Sequence, residues 1–129
     1  MSFSDYAEGG VLDHVFGLAA LPQPTLYLGV STTDPADTGV GASEPVGNGY
    51  ARIATVAVDW ERSGNVVTNA NELSFPEATG AWGTLAHFVL YDAVTGGNVF
   101  IYGALTTPKT IASEETLRFP VGNLTFTLD

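Results

Sequence analysis

The side chains that could do chemistry are few. Two histidines, His14 and His87, are the only imidazoles, and there is no cysteine. His14 falls in a helical pattern and His87 in a run that is apolar on both faces, so neither has a histidine partner at metal spacing. The expectation for His87 is a hydrogen-bonded residue of the core or of an interface, not a base. Asp34, Asp37 and Glu44 share one Gly-containing loop and offer oxygen ligands that suit calcium, but their spacing does not follow the EF-hand loop. Glu114-Glu115 would point to opposite faces of a strand and read as a solvated turn. Trp60 and Trp82 flank strands. Exposed, such a pair stacks on sugar; buried, it closes the end of a sandwich, which is the expectation here. No Gly-x-Ser-x-Gly elbow, phosphate loop or dinucleotide fingerprint is present. The expectation is therefore a chain that is not an enzyme, with no catalytic, metal-binding or cofactor-binding residue. A small hydrolase or a lectin would instead need a concave pocket holding perturbed titratable groups or a metal.

The elements that would position these residues are mostly β. Helical spacing is confined to 5–17, where Asp5 and Glu8 stand in capping-box spacing and Leu12, Val15, Phe16 and Ala19 share a face. Gly17 is placed to cap the helix, and Gly9-Gly10 costs about 1 kcal/mol per glycine, so tertiary support is expected. The simplest reading is a helix lid packed on the sheet; the other is an arm that docks on a neighbour. After Pro22 and Pro24 the chain alternates as strands do, at Thr25–Val30, Thr116–Phe119 and Leu124–Leu128. The last two read as a hairpin turning at Pro120–Asn123, burying Leu117, Phe119, Leu124, Phe126 and Leu128 and exposing Thr125 and Thr127.

Leu85–Tyr91 and Val99–Leu105 lack alternation and must be covered on both sides, by the helix or by another subunit. They are joined by a loop over 92–98. Ala51–Val58 and Asn65–Phe75 complete seven or eight strands of an antiparallel β-sandwich, a single domain over 1–129. The expected core includes Phe88, Leu90, Val99, Ile101, Leu117, Phe119, Leu124 and Phe126. Four Gly-Asn pairs, beginning at Gly47, Gly64, Gly97 and Gly122, read as turns at uneven spacing. The long loop over 31–49, rich in Gly, Pro, Thr and Asp, is the expected place for partner contacts.

Composition narrows the partners. Four basic residues face fourteen acidic ones, a net charge of −10, and the basic residues do not cluster along the chain. Such a surface excludes a phosphate-reading role and disfavours an anionic membrane. Charged residues make up 14% of the chain, against roughly 25% in an ordinary soluble domain, which fits a surface that meets protein. The first residues carry neither a basic segment nor a long apolar run, and no stretch is long enough for a membrane span. The expectation is synthesis in the cytoplasm, without secretion; Asn123-Leu124-Thr125 is then a glycosylation triplet only by spelling.

Several stretches together resemble a known family: Asn48-Gly49-Tyr50-Ala51-Arg52, Phe75-Pro76-Glu77-Ala78-Thr79-Gly80-Ala81-Trp82-Gly83-Thr84 and His87-Phe88-Val89-Leu90-Tyr91-Asp92-Ala93. Gly96-Gly97-Asn98 and Tyr102-Gly103-Ala104-Leu105-Thr106-Thr107-Pro108-Lys109-Thr110-Ile111 follow in order. The chain resembles small virion proteins of tailed bacteriophages, labelled tail fibre proteins and similar to capsid cement or decoration proteins. The resemblance implies a jelly-roll-like sandwich with no catalytic residues. It implies a place on the outer capsid surface, with the major capsid protein and further copies of itself, as homodimer or homotrimer, for partners. No nucleic acid or membrane is among them. The alternative it carries is a tail-fibre or baseplate component that binds a host surface or carbohydrate.

Overall fold

The two doubly apolar runs become the two longest strands. In the computed structural model, which describes residues 1–128, the elements run β1 (Ser2–Phe3), α1 (Asp5–Val15), β2 (Tyr27–Ser31) and β3 (Ile53–Ala54). A 3-10 turn (Ala57–Asp59) leads to β4 (Trp60–Ser63), β5 (Val66–Asn69) and β6 (Leu73–Ser74), followed by β7 (Gly83–Tyr91), β8 (Val99–Ile111), β9 (Arg118–Phe119) and β10 (Thr125–Thr127). All pairings are antiparallel. One sheet has the order β1-β8-β7-β2-β3, a second β10-β5-β4, and β6 pairs with β9. The chain is thus mainly β with one N-terminal helix, as expected. The strand expected over Ala51–Val58 shrinks to β3, and that over Asn65–Phe75 divides into β5 and β6.

The core lies between the five-stranded sheet and the two smaller ones. Leu28, Val30, Leu85, Phe88 and Leu90 face Leu73, Phe119, Leu124 and Phe126 across it. The Phe126 ring meets Phe88 and Trp60 edge-on at 5.4 and 5.5 Å, pairs worth about 0.5–1.5 kcal/mol each beyond burial. The expected core set is buried apart from Ile101, which is half-buried against the same cluster. The opposite face of β7 and β8 holds a second cluster of Val89, Tyr91 and Val99 with Tyr102. Its cover comes from within the chain. Tyr6 of α1 meets Phe100 edge-on at 5.4 Å, and the long loop places Asp37 on the Tyr102 hydroxyl.

Four expectations need correction. The helix is capped by Ser4 rather than Asp5. The Ser4 Oγ accepts from the Ala7 amide at 3.1 Å and donates to the Val99 carbonyl, fastening the helix start to β8. Gly17, at φ +74°, follows the helix end as expected. The helix does not lay its apolar face on the sheet: Ala7 is its one buried residue, while Leu12, Val15 and Phe16 are 57, 71 and 73% exposed.

The Thr116–Phe119 and Leu124–Leu128 arms do not form a hairpin either. The turn exists, with the Asn123 amide donating to the Pro120 carbonyl at 3.0 Å, but β9 pairs with β6 and β10 with β5. Asn69 sits fully buried between the arms. Its Nδ2 donates to the carbonyls of Asn71, Phe119 and Pro120, and its Oδ1 accepts from the Leu124 amide at 2.9 Å. A buried amide satisfied on this scale holds the arms apart. Leu117, Phe119, Leu124 and Phe126 are buried as expected, but Leu128 is exposed.

Candidate interaction surface

The resemblance-bearing motifs build one corner of the fold. Arg52 forms a two-pronged ion pair with Glu44, its Nη2 and Nε donating at 2.6 and 3.0 Å. Its Nη1 donates to the carbonyls of Ala93 and Gly96 at 2.6 and 2.9 Å, and its guanidinium lies 3.4 Å above the Tyr91 ring. The Tyr50 hydroxyl donates to Glu44 Oε2 at 2.5 Å and accepts from the Val30 amide. Burial first, and then the bond to Glu44, push the Tyr50 phenol above its ordinary range. Burial pulls Arg52 down, but the hydrogen bond and charge of Glu44 outweigh it, so the guanidinium stays charged. The arrangement locks the long loop to the β7–β8 connection.

Beside it, Asn48 receives the Thr79 amide at 3.0 Å and the Trp82 indole at 2.8 Å on its carbonyl, and its Nδ2 donates to Ala81. Gly47, Asn48 and Gly49 all have positive φ. A Cβ on Gly49 would stand 2.9 Å from the Glu77 carbonyl, so the approach requires glycine. The family-like motifs are contacts that close a fold.

The residues singled out for chemistry do not converge. His14 Nδ1 accepts from the Leu21 amide at 3.1 Å, turning the chain after α1. His87 is half-buried with Nδ1 unpartnered, contrary to the hydrogen-bonded role expected of it. Asp34 caps the Ala36 amide, Asp37 meets Tyr102 and Ser2, and Glu44 turns to Arg52. The loop carboxylates therefore point three ways, and among the described residues no cluster of three or more metal-ligating side chains forms. Glu114 and Glu115 occupy an exposed turn, Glu115 accepting from the Ala112 amide. Trp82 is buried and Trp60 half-buried, its indole donating to Thr55 Oγ1, so no stacking platform is presented. Among the described residues no helix is long and apolar enough to cross a membrane.

What is presented is a set of exposed apolar side chains on the helix beside two recesses. The helix arc Leu12, Val15 and Phe16 adjoins a shallow hollow of Phe3, Val11 and Leu128. Met1, Phe3 and Leu128 also border a groove of about 460 Å³ that opens between the sheets. Leu26, Trp60, Val67, Leu90, Ile101 and Phe126 form its floor and walls, with Arg62 and Asn65 at the rim. Strand periodicity gave no signal for this groove, because its lining is drawn from β1, β4, β5, β7, β8 and β10, which lie far apart in the chain. The exposed helix and the terminal residues Met1 and Leu128 were the available clues.

The sandwich ties Arg52 and Glu44 into its own corner and leaves Leu12, Val15 and Phe16 of the helix arc exposed. Residues 2–127 match the family described as podophage GP4 fiber I protein gp80. The chain belongs to that family and is a bacteriophage virion structural protein, related to fibres. No curated protein matches it.

Proposed function

We propose that the chain is a non-enzymatic subunit of a phage fibre assembly, and that it works by making protein–protein contacts through its apolar N-terminal face. The observation that carries the reading is the outward arc of α1 beside an open groove, in a chain whose family is described as a fibre protein. Monomeric proteins rarely expose apolar patches beyond a few hundred Å², and larger ones mark interaction sites. His14 and every carboxylate and tryptophan considered for chemistry are placed by a fold contact or face solvent away from the others, and His87 stands apart from all of them, which supports a role without catalysis. In this reading the partners are proteins of the virion and further copies of the chain, with neither nucleic acid nor membrane among them.

The second reading is capsid cement, bridging the major capsid protein on the outer shell surface. The compact sandwich and the net charge of −10, which suits a place away from packaged DNA, favour it. Copy number and position separate the two. Electron cryo-microscopy with quantitative mass spectrometry of purified particles should find few copies, at a fibre attachment point. Hundreds of copies between capsomers, the order expected from shell symmetry, would replace the fibre reading with cement. Particles carrying Leu12→Ser with Phe16→Ser should contain much less of the protein; normal incorporation would remove the apolar face from the function.

A further inference from the structure

The apolar face carries a projection and a recess side by side. The arc Leu12, Val15 and Phe16 stands on one flank of Met1, Phe3 and Leu128, and the inter-sheet groove opens on the other. A surface that presents a knob beside a hole allows a two-fold pairing in which each knob sits over the other copy's hole. We infer that the occupant of the groove is the helix arc of a second copy of this chain, in a reciprocal dimer.

Size and lining agree. A recess of about 460 Å³ is within the range that encloses a bound organic group, and its floor of Leu26, Val67, Leu90, Ile101 and Phe126 offers dispersion contacts rather than hydrogen bonds. Two large apolar side chains of one helix, Leu12 and Phe16, fall one turn apart on the same face and suit such a slot, the manner in which amphipathic helices occupy grooves.

Charge agrees as well. The helix carries Asp5, Glu8 and Asp13 and no lysine or arginine; indeed the first basic residue of the chain is Arg52, which is tied to Glu44. Arg62, at the rim of the groove, donates to the Gly64 carbonyl of its own turn at 2.7 Å, and among the described residues the one ion pair is Arg52 with Glu44. Laying α1 of one copy along the groove of the other brings Glu8 or Asp5 toward Arg62 twice, once per half of the dimer. A basic, apolar partner segment from another protein would satisfy the helix but would set its cations against Arg62. A second copy satisfies both. The net charge of −10 per chain opposes association at long range, but is screened beyond about 8 Å at physiological ionic strength.

This inference rests on the reading of the N-terminal face as an assembly surface, and sedimentation of the purified chain tests it separately. At about 100 µM, above the dissociation constants of modest interfaces, the wild type should sediment as a dimer. Leu12→Ser with Phe16→Ser should weaken the dimer roughly a hundred-fold, the scale of losing two central anchors, with an unchanged circular dichroism spectrum. Arg62→Glu and Glu8→Lys should each weaken it several-fold, and the two together should restore much of the loss. A wild-type monomer at that concentration overturns the inference, as does a dimer indifferent to the serine pair or a charge exchange without rescue. If the wild type is monomeric while the serine pair still fails to enter phage particles, the second copy is the wrong partner and the assembly face stands. If both assays are indifferent, the face itself is wrong.

Discussion

Around Arg52 the chain takes charged and phenolic groups out of water and satisfies each of them, whereas along α1 it leaves three large apolar side chains in water with nothing over them. The first arrangement is costly to break. Removing one partner of a buried ion pair strands the other, and the network also holds two loops in place. The second adds less to folding, because Leu12, Val15 and Phe16 keep more than half of their surface in water. An apolar side chain that does not stabilise its own fold is available to stabilise something else. The two regions thus divide the labour: the corner around Arg52 keeps the sandwich shut, and the helix faces outward to assemble.

The contrast is broken most forcefully at the corner. Arg52→Ala should lower unfolding free energy by about 3–5 kcal/mol, since the Glu44 carboxylate and Tyr50 would be left in a site built around a guanidinium. Chemical denaturation measures this, and a loss below about 1 kcal/mol, the level of an exposed pair, would show that the network is not what closes the loops. Phe126→Ala should cost about 3–5 kcal/mol by the cavity it leaves between Phe88 and Trp60. If the open groove beside Phe126 lets the walls collapse, the value falls to the bottom of that range, so the same measurement reports how rigid the groove is.

Alkaline pH sharpens the comparison without mutation. Burial, and after it the charge of Glu44, push the Tyr91 phenol up to about 12, partly opposed by Arg52; Tyr50 is raised by burial and by the hydrogen bond to Glu44. A folded value above the unfolded one of about 10 means the folded state holds the proton more tightly. Its contribution to stability is full below about pH 10 and lost as pH rises toward about 12. Denaturation midpoints should therefore fall across that interval, and Tyr91→Phe should flatten the fall. An unchanged slope in that variant would place the alkaline transition elsewhere.

How far the sequence could be read depends on which of these regions is asked about. Leu85–Tyr91 and Val99–Leu105 declared themselves as strands, and so they are; the first is covered on two sides over most of its length, the second only at its start, with Ala104 exposed. The alternation in 116–128 named the buried side chains Leu117, Phe119, Leu124 and Phe126, missed on Leu128, and did not say which strand each arm pairs with. Period-two spacing names a face, not a neighbour, and the deciding residue, Asn69, lies far away in the chain. The helix shows the same limit. Leu12, Val15 and Phe16 do share a face, yet spacing is blind to whether that face meets the core or the solvent. The Arg52 network was invisible for a different reason: its four partners, Glu44, Tyr91, Ala93 and Gly96, lie in stretches separated along the chain, and no local pattern joins them.

The smallest effect on stability should come from the helix arc, and it divides one helix into two materials. Ala7, on the inner side, is buried beneath the cap that Ser4 forms on Val99, so Ala7→Leu must push into packed backbone. Overpacking of that kind costs about 1–3 kcal/mol. On the outer side, Leu12→Ser, Val15→Ser and Phe16→Ser remove side chains that meet little in the folded chain, and each should change stability by no more than about 0.5 kcal/mol. Serine is a somewhat poorer helix former than leucine, which sets the sign of the residue. The comparison has to be made on dissociated protein, because binding partners of the native state raise apparent stability by mass action. Below the dimer dissociation constant the outer variants should unfold at the wild-type midpoint while Ala7→Leu unfolds early; at high concentration the wild type alone should gain. A midpoint that drops for the outer variants even when dilute would mean that the arc supports its own fold, and the division between a closing corner and an assembling helix would be lost.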